Sequence, residues 1–306
     1  MLFSVLGALN EQSAVRTLQL GEVRLTYVVD GAMGLTPAGF FPDIPAEHWA
    51  DHPELLDANG FVPLSAGGLL VERDNRRLLI DTGMGPYTGE VSLGQTYVGP
   101  VNCGALPEVL AELGHAPSDI DTVAFTHLHI DHTGWAFGPD GHKFFPNARY
   151  LVAAQEWAPH GRGEIIPGAP PRPTVIEPMA GTHTRITDGE EIFPGVHALV
   201  TPGHSPGHTS YIISTSSGRI IVFGDGFHIP AQLTHPDWPS KPDVDRTAVR
   251  TARNRLITEL EQPQTIGFAF HFGDQAFGRV VRDQDGLAGW EPVPATALLP
   301  TPRRLP

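Results

Sequence analysis

Residues 126–134 read Thr126-His127-Leu128-His129-Ile130-Asp131-His132-Thr133-Gly134, directly after the apolar run 122–126. Three histidines and one aspartate within six residues are ordinary ligand types for zinc and other divalent transition metals. In a loop leaving a strand end, His127 and His129 point to one side, while Asp131 and His132 turn back toward a second point. One short loop can then serve two adjacent metals. With 15 histidines in 306 residues, chance does not account for the cluster.

Three later positions follow apolar runs in the same way. Residues 196–201 lead into His204 within Thr201-Pro202-Gly203-His204-Ser205-Pro206-Gly207-His208, residues 220–224 lead into Asp225, and residues 268–270 lead into His271. If these strand ends converge, His204, Asp225 and His271 join the first cluster. Seven ligands then hold two metals with a carboxylate and a water-derived hydroxide between them. Each of these histidines taken singly is an ordinary structural residue; the set is not.

Working outward, strand-like runs are expected at 23–30 (breaking at Gly31), 68–72, 77–81, 150–154, 210–215 and 219–224. A final hairpin is expected at 280–282 and 290–293. Residues 45–59 read as a helix interrupted by Pro53, and 106–113 as a short helix stopped by Gly114. Residues 244–261 carry apolar side chains at helical period, with Asp243 as the expected N-cap. The proline-rich stretch 159–178 is expected to form a long loop on the surface or over a site. No repeat or linker divides the chain. The expectation is one domain over 1–306, with an N-terminal extension (about 1–20) and a proline-rich tail (about 294–306).

Composition excludes several classes. Hydrophobic residues make up 41% of the chain, too many for a disordered protein, and 34 Gly with 30 Pro suit a loop-rich enzyme better than a helical bundle. A formal net charge of −14, with no basic patch, argues against nucleic acid and anionic membranes as partners. No run approaches the length of a membrane helix. The single cysteine, Cys103, cannot form an internal disulfide. The apolar segment 1–9 lacks a basic start and a cleavage site, so it is expected to be buried on its own domain or in a homodimer. A soluble, cytoplasmic protein is expected.

The HLHIDH stretch, with His204, Asp225 and His271, resembles the metallo-β-lactamase superfamily. The likeness extends through Leu78-Leu79-Ile80-Asp81-Thr82-Gly83-Met84-Gly85, residues 117–127 and residues 201–208. It implies an α/β fold, the four-layer αβ/βα sandwich, with a dinuclear site at one edge of two sheets. By position, His127, His129 and His204 would hold one metal and Asp131, His132 and His271 the other, with Asp225 bridging. The segment 224–253 and Phe40-Phe41-Pro42-Asp43-Ile44-Pro45-Ala46-Glu47-His48-Trp49 resemble the methyl parathion hydrolase and N-acyl homoserine lactonase branch. The best-known lactonases carry a tyrosine three residues after the bridging aspartate. Here that place is His228, which argues against a tyrosine-assisted mechanism. Common class B β-lactamases use a cysteine in the second metal site, where this chain has Asp225, and flavodiiron proteins use a glutamate where it has His129.

The resemblance implies two divalent ions, zinc first and Mn, Co or Fe as alternatives. It also implies a bridging hydroxide as nucleophile on a lactone or other carboxylic ester, with Asp131 passing a proton to the leaving group. Phosphotriester hydrolysis is the alternative, and a non-catalytic metal-binding protein of the same fold is a third reading. A nuclease of this superfamily is disfavoured by the charge. Asp81 is a candidate acceptor for a ligand histidine's N–H. His208 and His228 are candidates for supporting the ligands or facing substrate. Among the aromatics Phe40, Phe41, Trp49, Trp135, Trp157, Phe227 and Phe272, the preferred wall of an apolar pocket is Trp157 with Phe227. Such a pocket suits a small neutral ester.

Overall fold

A computed structural model describes residues 4–305. Two mixed β-sheets, eleven and seven strands among the described residues, lie face to face. In the first, Val23–Leu35 pairs antiparallel with Val62–Arg73, and Arg76–Ile80, Thr122–Ala124, Arg149–Ala153 and His183–Ile186 follow in order. The second runs from Glu191–Phe193 to Ala288–Pro292. Tyr27 of the first sheet donates its hydroxyl to the Phe270 carbonyl of the second half at 3.0 Å, and its ring meets Phe268 edge-on at 5.2 Å.

Both faces of the second sheet are covered, and the strand Gly218–Val222 shows why. Ile220 and Val222 enter the core between the sheets, whereas Ile221 and Phe223 pack on the outer side with Leu256 and Leu260 of the helix Arg246–Leu260. A period of two is thus written over a continuous apolar run. The helices Leu106–Glu112 and Ala154–Gly161 lie on the first sheet. The result is the α/β sandwich of the metallo-β-lactamase type.

Some elements differ from expectation. Gly31 does not end its strand: Val23–Leu35 continues through a register shift between Val29 and Gly31. Gly31 has φ +153° and its α-carbon faces the Asn102 carbonyl, where a Cβ would come within 2.1 Å. That close approach admits the hairpin Thr88–Leu93 with Thr96–Cys103 as an arm of the first sheet. The segments read as extension and tail meet in the same sheet, where Ala295–Leu299 lies between Ser4–Val5 and Val15–Leu20. Of the apolar start, residues 1–3 and the side chains of 4 and 5 lie outside the described residues; Leu6 is exposed. No helix among the described residues is long and apolar enough to cross a membrane.

The long helix is capped by Asp245, whose Oδ1 accepts from the Thr247 and Ala248 amides at 3.0 Å. Asp243, expected in that role, lies inside the fold and reaches the site instead.

Candidate metal centre

Parallel pairing places two of the distant candidates side by side. Gly218–Val222 pairs with Thr265–Phe268 in register Ile220 to Ile266 and Val222 to Phe268. Asp225 and His271 therefore leave adjacent strands at the same end, three residues past each paired terminus. Thr122–Ala124, between Arg76–Ile80 and Arg149–Ala153, delivers His127 to the facing edge of the other sheet. His204 follows Val196–Val200.

All seven candidate ligands meet there in two groups. His127, His129, His204 and Asp225 form one, and Asp131, His132, Asp225 and His271 the other, with donor atoms in each group within 4.8 Å of one another. Asp225 divides its oxygens between them. Oδ2 lies 3.2 Å from His204 Nε2 and 3.8 Å from His127 Nε2. Oδ1 lies 3.1 Å from both His132 Nε2 and His271 Nε2. Asp131 Oδ2 is 3.4 Å from His132 Nε2 on the second side.

The outward nitrogens of four histidines are tied to oxygen acceptors. His132 Nδ1 donates to Asp81 Oδ2 at 2.8 Å, His204 Nδ1 to Asp243 Oδ1 at 2.7 Å, and His271 Nδ1 to the Ser65 carbonyl at 2.9 Å. Thr126 gives its hydroxyl hydrogen to Asp81 Oδ2 at 2.7 Å, so its oxygen is left to accept from His127 Nδ1 at 3.0 Å. Each Nδ1 is thereby held as a donor, and Nε2 is turned toward the centre, where it can offer a lone pair to a cation. The buried Nε2 atoms of His127 and His132 have no hydrogen-bond partner. Buried imidazole nitrogens converging on two carboxylates make a donor set that fits a divalent cation.

Electrostatics agree. Burial and then neighbouring histidines hold His127 and His129 well below the usual imidazole range, so both offer lone pairs. Burial opposes charge on Asp131 and Asp225, yet His132 and its neighbours keep both below the usual carboxylate range. For His204, burial is outweighed by Asp225 and Asp243, which raise it to about 9. Carboxylates that draw a proton onto a buried imidazole would draw a metal ion onto the same lone pair.

Other side chains hold the ligands, and of these Glu156 and Arg253 were not evident from sequence. Asp81, which was expected to orient a histidine, does so from a left-handed backbone at φ +64°; Thr126 shares its carboxylate. Glu156 is fully buried and joins the two ligand loops: Oε1 accepts from the Leu128 amide at 2.9 Å, and Oε2 accepts from Ser205 Oγ at 2.7 Å and the Gly207 amide at 2.9 Å. A lone acid on a helix among Trp157 and Ala153 was the available signal. Arg253, buried in the long helix, donates to the Gly226 carbonyl at 2.7 Å and to Asp243 at 3.4 Å, which fixes the loop between them.

His208 is no member of either donor group. Its Nε2 accepts from the Asp225 amide at 3.0 Å, so it positions the shared carboxylate through the backbone. His228 Nε2 lies 3.0 Å from Asp225 Oδ2. Beside the centre runs a narrow apolar chamber lined by Met33, Phe40, Leu64, Met84, Val91, Leu93 and Val98, with Asp131 and His228 at its polar end. Gly168 of the proline-rich loop closes one side, where its carbonyl accepts from the Ile130 amide at 2.9 Å. Trp157 and Phe227, the preferred walls, do not line it. Trp157 is in the central core with its ring 4.0 Å from His183, and Phe227 faces Phe223 at 5.4 Å under the long helix. Adjacent residues of an extended chain face opposite ways, so once His228 enters the site Phe227 must leave it.

Comparison with known proteins adds the following. The profile of the metallo-beta-lactamase superfamily matches residues 68–266. An N-acyl homoserine lactonase of Bacillus thuringiensis is 30% identical over 164 residues, which is 50% of this chain and 60% of that protein. The N-acyl homoserine lactonase AiiB of Rhizobium rhizogenes is 30% identical over 151 residues, 46% of this chain and 47% of that one. The match thus spans less than two thirds of these relatives. Among solved structures, AidC, a dizinc quorum-quenching lactonase in complex with a product, superposes with TM-score 0.78 at 22% identity, covering 93% of this chain and 99% of that one. The hydrolase AbOPH gives TM-score 0.71 at 23% identity with the same coverage. These two likenesses concern the fold; the profile match, across well over half of the sequence, settles the family. The chain belongs to the metallo-β-lactamase superfamily.

Proposed function

We propose that this protein is a dinuclear metal-dependent hydrolase of lactones or other carboxylic esters. The observation that carries the reading is Asp225, whose two oxygens face two separate groups of histidine and aspartate donors. His127, His129 and His204 would hold one divalent ion, Asp131, His132 and His271 the other, and Asp225 both; zinc suits this nitrogen-rich set. When bound, two such ions supply hydroxide near neutral pH and polarise the oxygen that gains charge.

The chain's own residues do the rest. Asp81, Thr126, Asp243 and Ser65 hold four imidazoles in one tautomer and orientation. Asp131 stands where the chamber meets the centre, placed to hold a proton for the leaving oxygen. The chamber walls exclude water and accept an apolar chain, which favours a neutral ester over a phosphorylated one. The lactonase names of the curated relatives support the ester class.

The test is a side-by-side assay of the zinc-loaded protein on N-acyl homoserine lactones, aliphatic lactones, aryl esters and dialkyl aryl phosphotriesters, with Asp225→Asn as blank. Lactone turnover well above the others is expected. Phosphotriester preference would replace this reading with its alternative, and no turnover above the blank would leave a metal-binding protein without hydrolase activity.

A further inference from the structure

One stretch of chain, residues 8–16, touches both the group on which His271 rests and the loop that carries it. The ring rests on the Ser65 carbonyl. Ser65 is buried, and its hydroxyl accepts from the Ser13 amide at 2.8 Å. Three residues past His271, Asp274 meets the same stretch from the other side. Its Oδ1 accepts from the Ala14 amide at 2.9 Å and from Arg16 Nε at 2.6 Å, and its Oδ2 accepts from Arg16 Nη2, so the ion pair is bidentate. The Asp274 amide donates in return to the Ala8 carbonyl at 2.9 Å. Between His271 and Asp274, Gly273 has φ +52°, and a Cβ there would come within 2.2 Å of the Leu9 carbonyl. Glycine at that place lets the stretch lie directly on the ligand loop.

Arg16 and Asp274 are only 5% and 7% exposed. A buried ion pair adds little net stability, because desolvation of the two charges offsets their attraction; what it supplies is a fixed geometry. Here it fixes the loop 271–274 against the segment 8–16, and Arg16 Nη1 extends the tie to the Ala295 carbonyl at 3.1 Å. His127 and His204 lean on other groups, Thr126 and Asp243, from distant parts of the chain. We propose that residues 8–16, through Ser13 and Arg16, act with Asp274 as a positioning strap for His271, and so govern the second metal position while leaving the first alone. The strap touches neither metal nor substrate; it acts through the ring it holds. This rests on the dinuclear reading above and not on the choice of ester.

The full-length zinc-loaded protein tests it by competition with a chromophoric chelator, with nitrogen-15 NMR of the histidine rings as a second readout that needs no turnover. In Asp274→Asn one of the two ions should lose about 10- to 100-fold in affinity, the usual cost of removing a group that orients a ligand, while the other keeps its own. As the weaker ion leaves, His132 and His271 should lose the metal-bound ring signal, and His127 and His204 should retain it. Asp274→Asn also leaves the Arg16 charge buried without its partner, so a general loosening would imitate part of this result. The double variant Arg16→Met with Asp274→Leu removes both charges and should unfold at higher urea than Asp274→Asn, yet its second ion should stay weak. Second-ion affinity that returns together with stability in the double variant would make the pair merely structural and overturn the proposal. Equal weakening of both ions, or ring signals lost first from His127 and His204, would overturn it as well. A wild-type protein that holds a single ion would remove the dinuclear reading and the claim on a second position. The strap itself would then be judged on the His271 Nδ1 proton, held in wild type and released in the double variant if it positions the ring, and unchanged if it does not.

Discussion

Asp243 Oδ1 accepts a 2.7 Å hydrogen bond from Nδ1 of His204, although 39 residues separate the two. Its other oxygen accepts from the Ser240 amide at 2.8 Å and from Arg253. Every group around this carboxylate is a donor. In Asp243→Asn the amide must turn its NH2 toward one of them, so His204 loses its fixed tautomer. Zinc affinity should fall 10- to 100-fold, the usual cost of removing such a partner. Competition against a chromophoric chelator measures it, and unchanged affinity would refute the assignment.

Glu156 makes a comparable prediction for stability. Its carboxylate accepts from two backbone amides and one hydroxyl, all buried. Glu156→Ala strands these three donors, at about 1–3 kcal/mol for each that finds no water. Urea unfolding of the zinc-loaded variant should show a lowered midpoint. Within 0.5 kcal/mol of wild type, roughly the effect of an ordinary surface change, the bridge between the ligand loops would be inconsequential.

His160 supplies a pH dependence away from the centre. Burial first, and Arg172 second, push its pKa down to about 4. The unfolded chain, with an ordinary imidazole near 6.5, then binds more protons than the folded one between these values. The native preference is complete above about pH 6.5 and is lost as pH falls toward 4. His160→Phe should remove that part of the acid slope. Parallel unfolding curves for the two proteins at every pH from 4 to 7 would contradict it.

Chelation should destabilise the fold as well as the site. Removing the metal ions would leave the Nε2 atom of His127 buried without a hydrogen-bond partner and abolish stabilisation by mass action. Melting temperature should drop on chelation and rise with added zinc until both sites fill. A melting curve indifferent to zinc would count against metal binding.

How much of this was legible in the sequence depends on whether the determinant was local. His127, His129, Asp131 and His132 sit in one loop, so six residues display them. His204, Asp225 and His271 each follow an apolar run, and that pattern was visible. Their convergence is set by the register of Ile220 on Ile266, which no window contains. Asp243 stood ahead of the long helix as its expected cap; only the fold gives that cap to Asp245 and His204 to Asp243. The chamber walls Val91, Leu93 and Val98 come from the hairpin 88–103, whose glycines and Pro100 obscure the strand pattern. Ala295–Leu299, with prolines at both ends, read as a tail for the same reason.

The two donor groups draw on both sheets, and Asp225 stands in each. The centre therefore cannot form on a half-folded chain: contacts so distant in sequence close only after their loop entropy has been met by the packing of one sheet on the other. Zinc would find its full ligand set at the end of folding, not at its start. A nascent chain would offer a passing metal only the local HLHIDH loop, and complete metallation would record that both halves have docked.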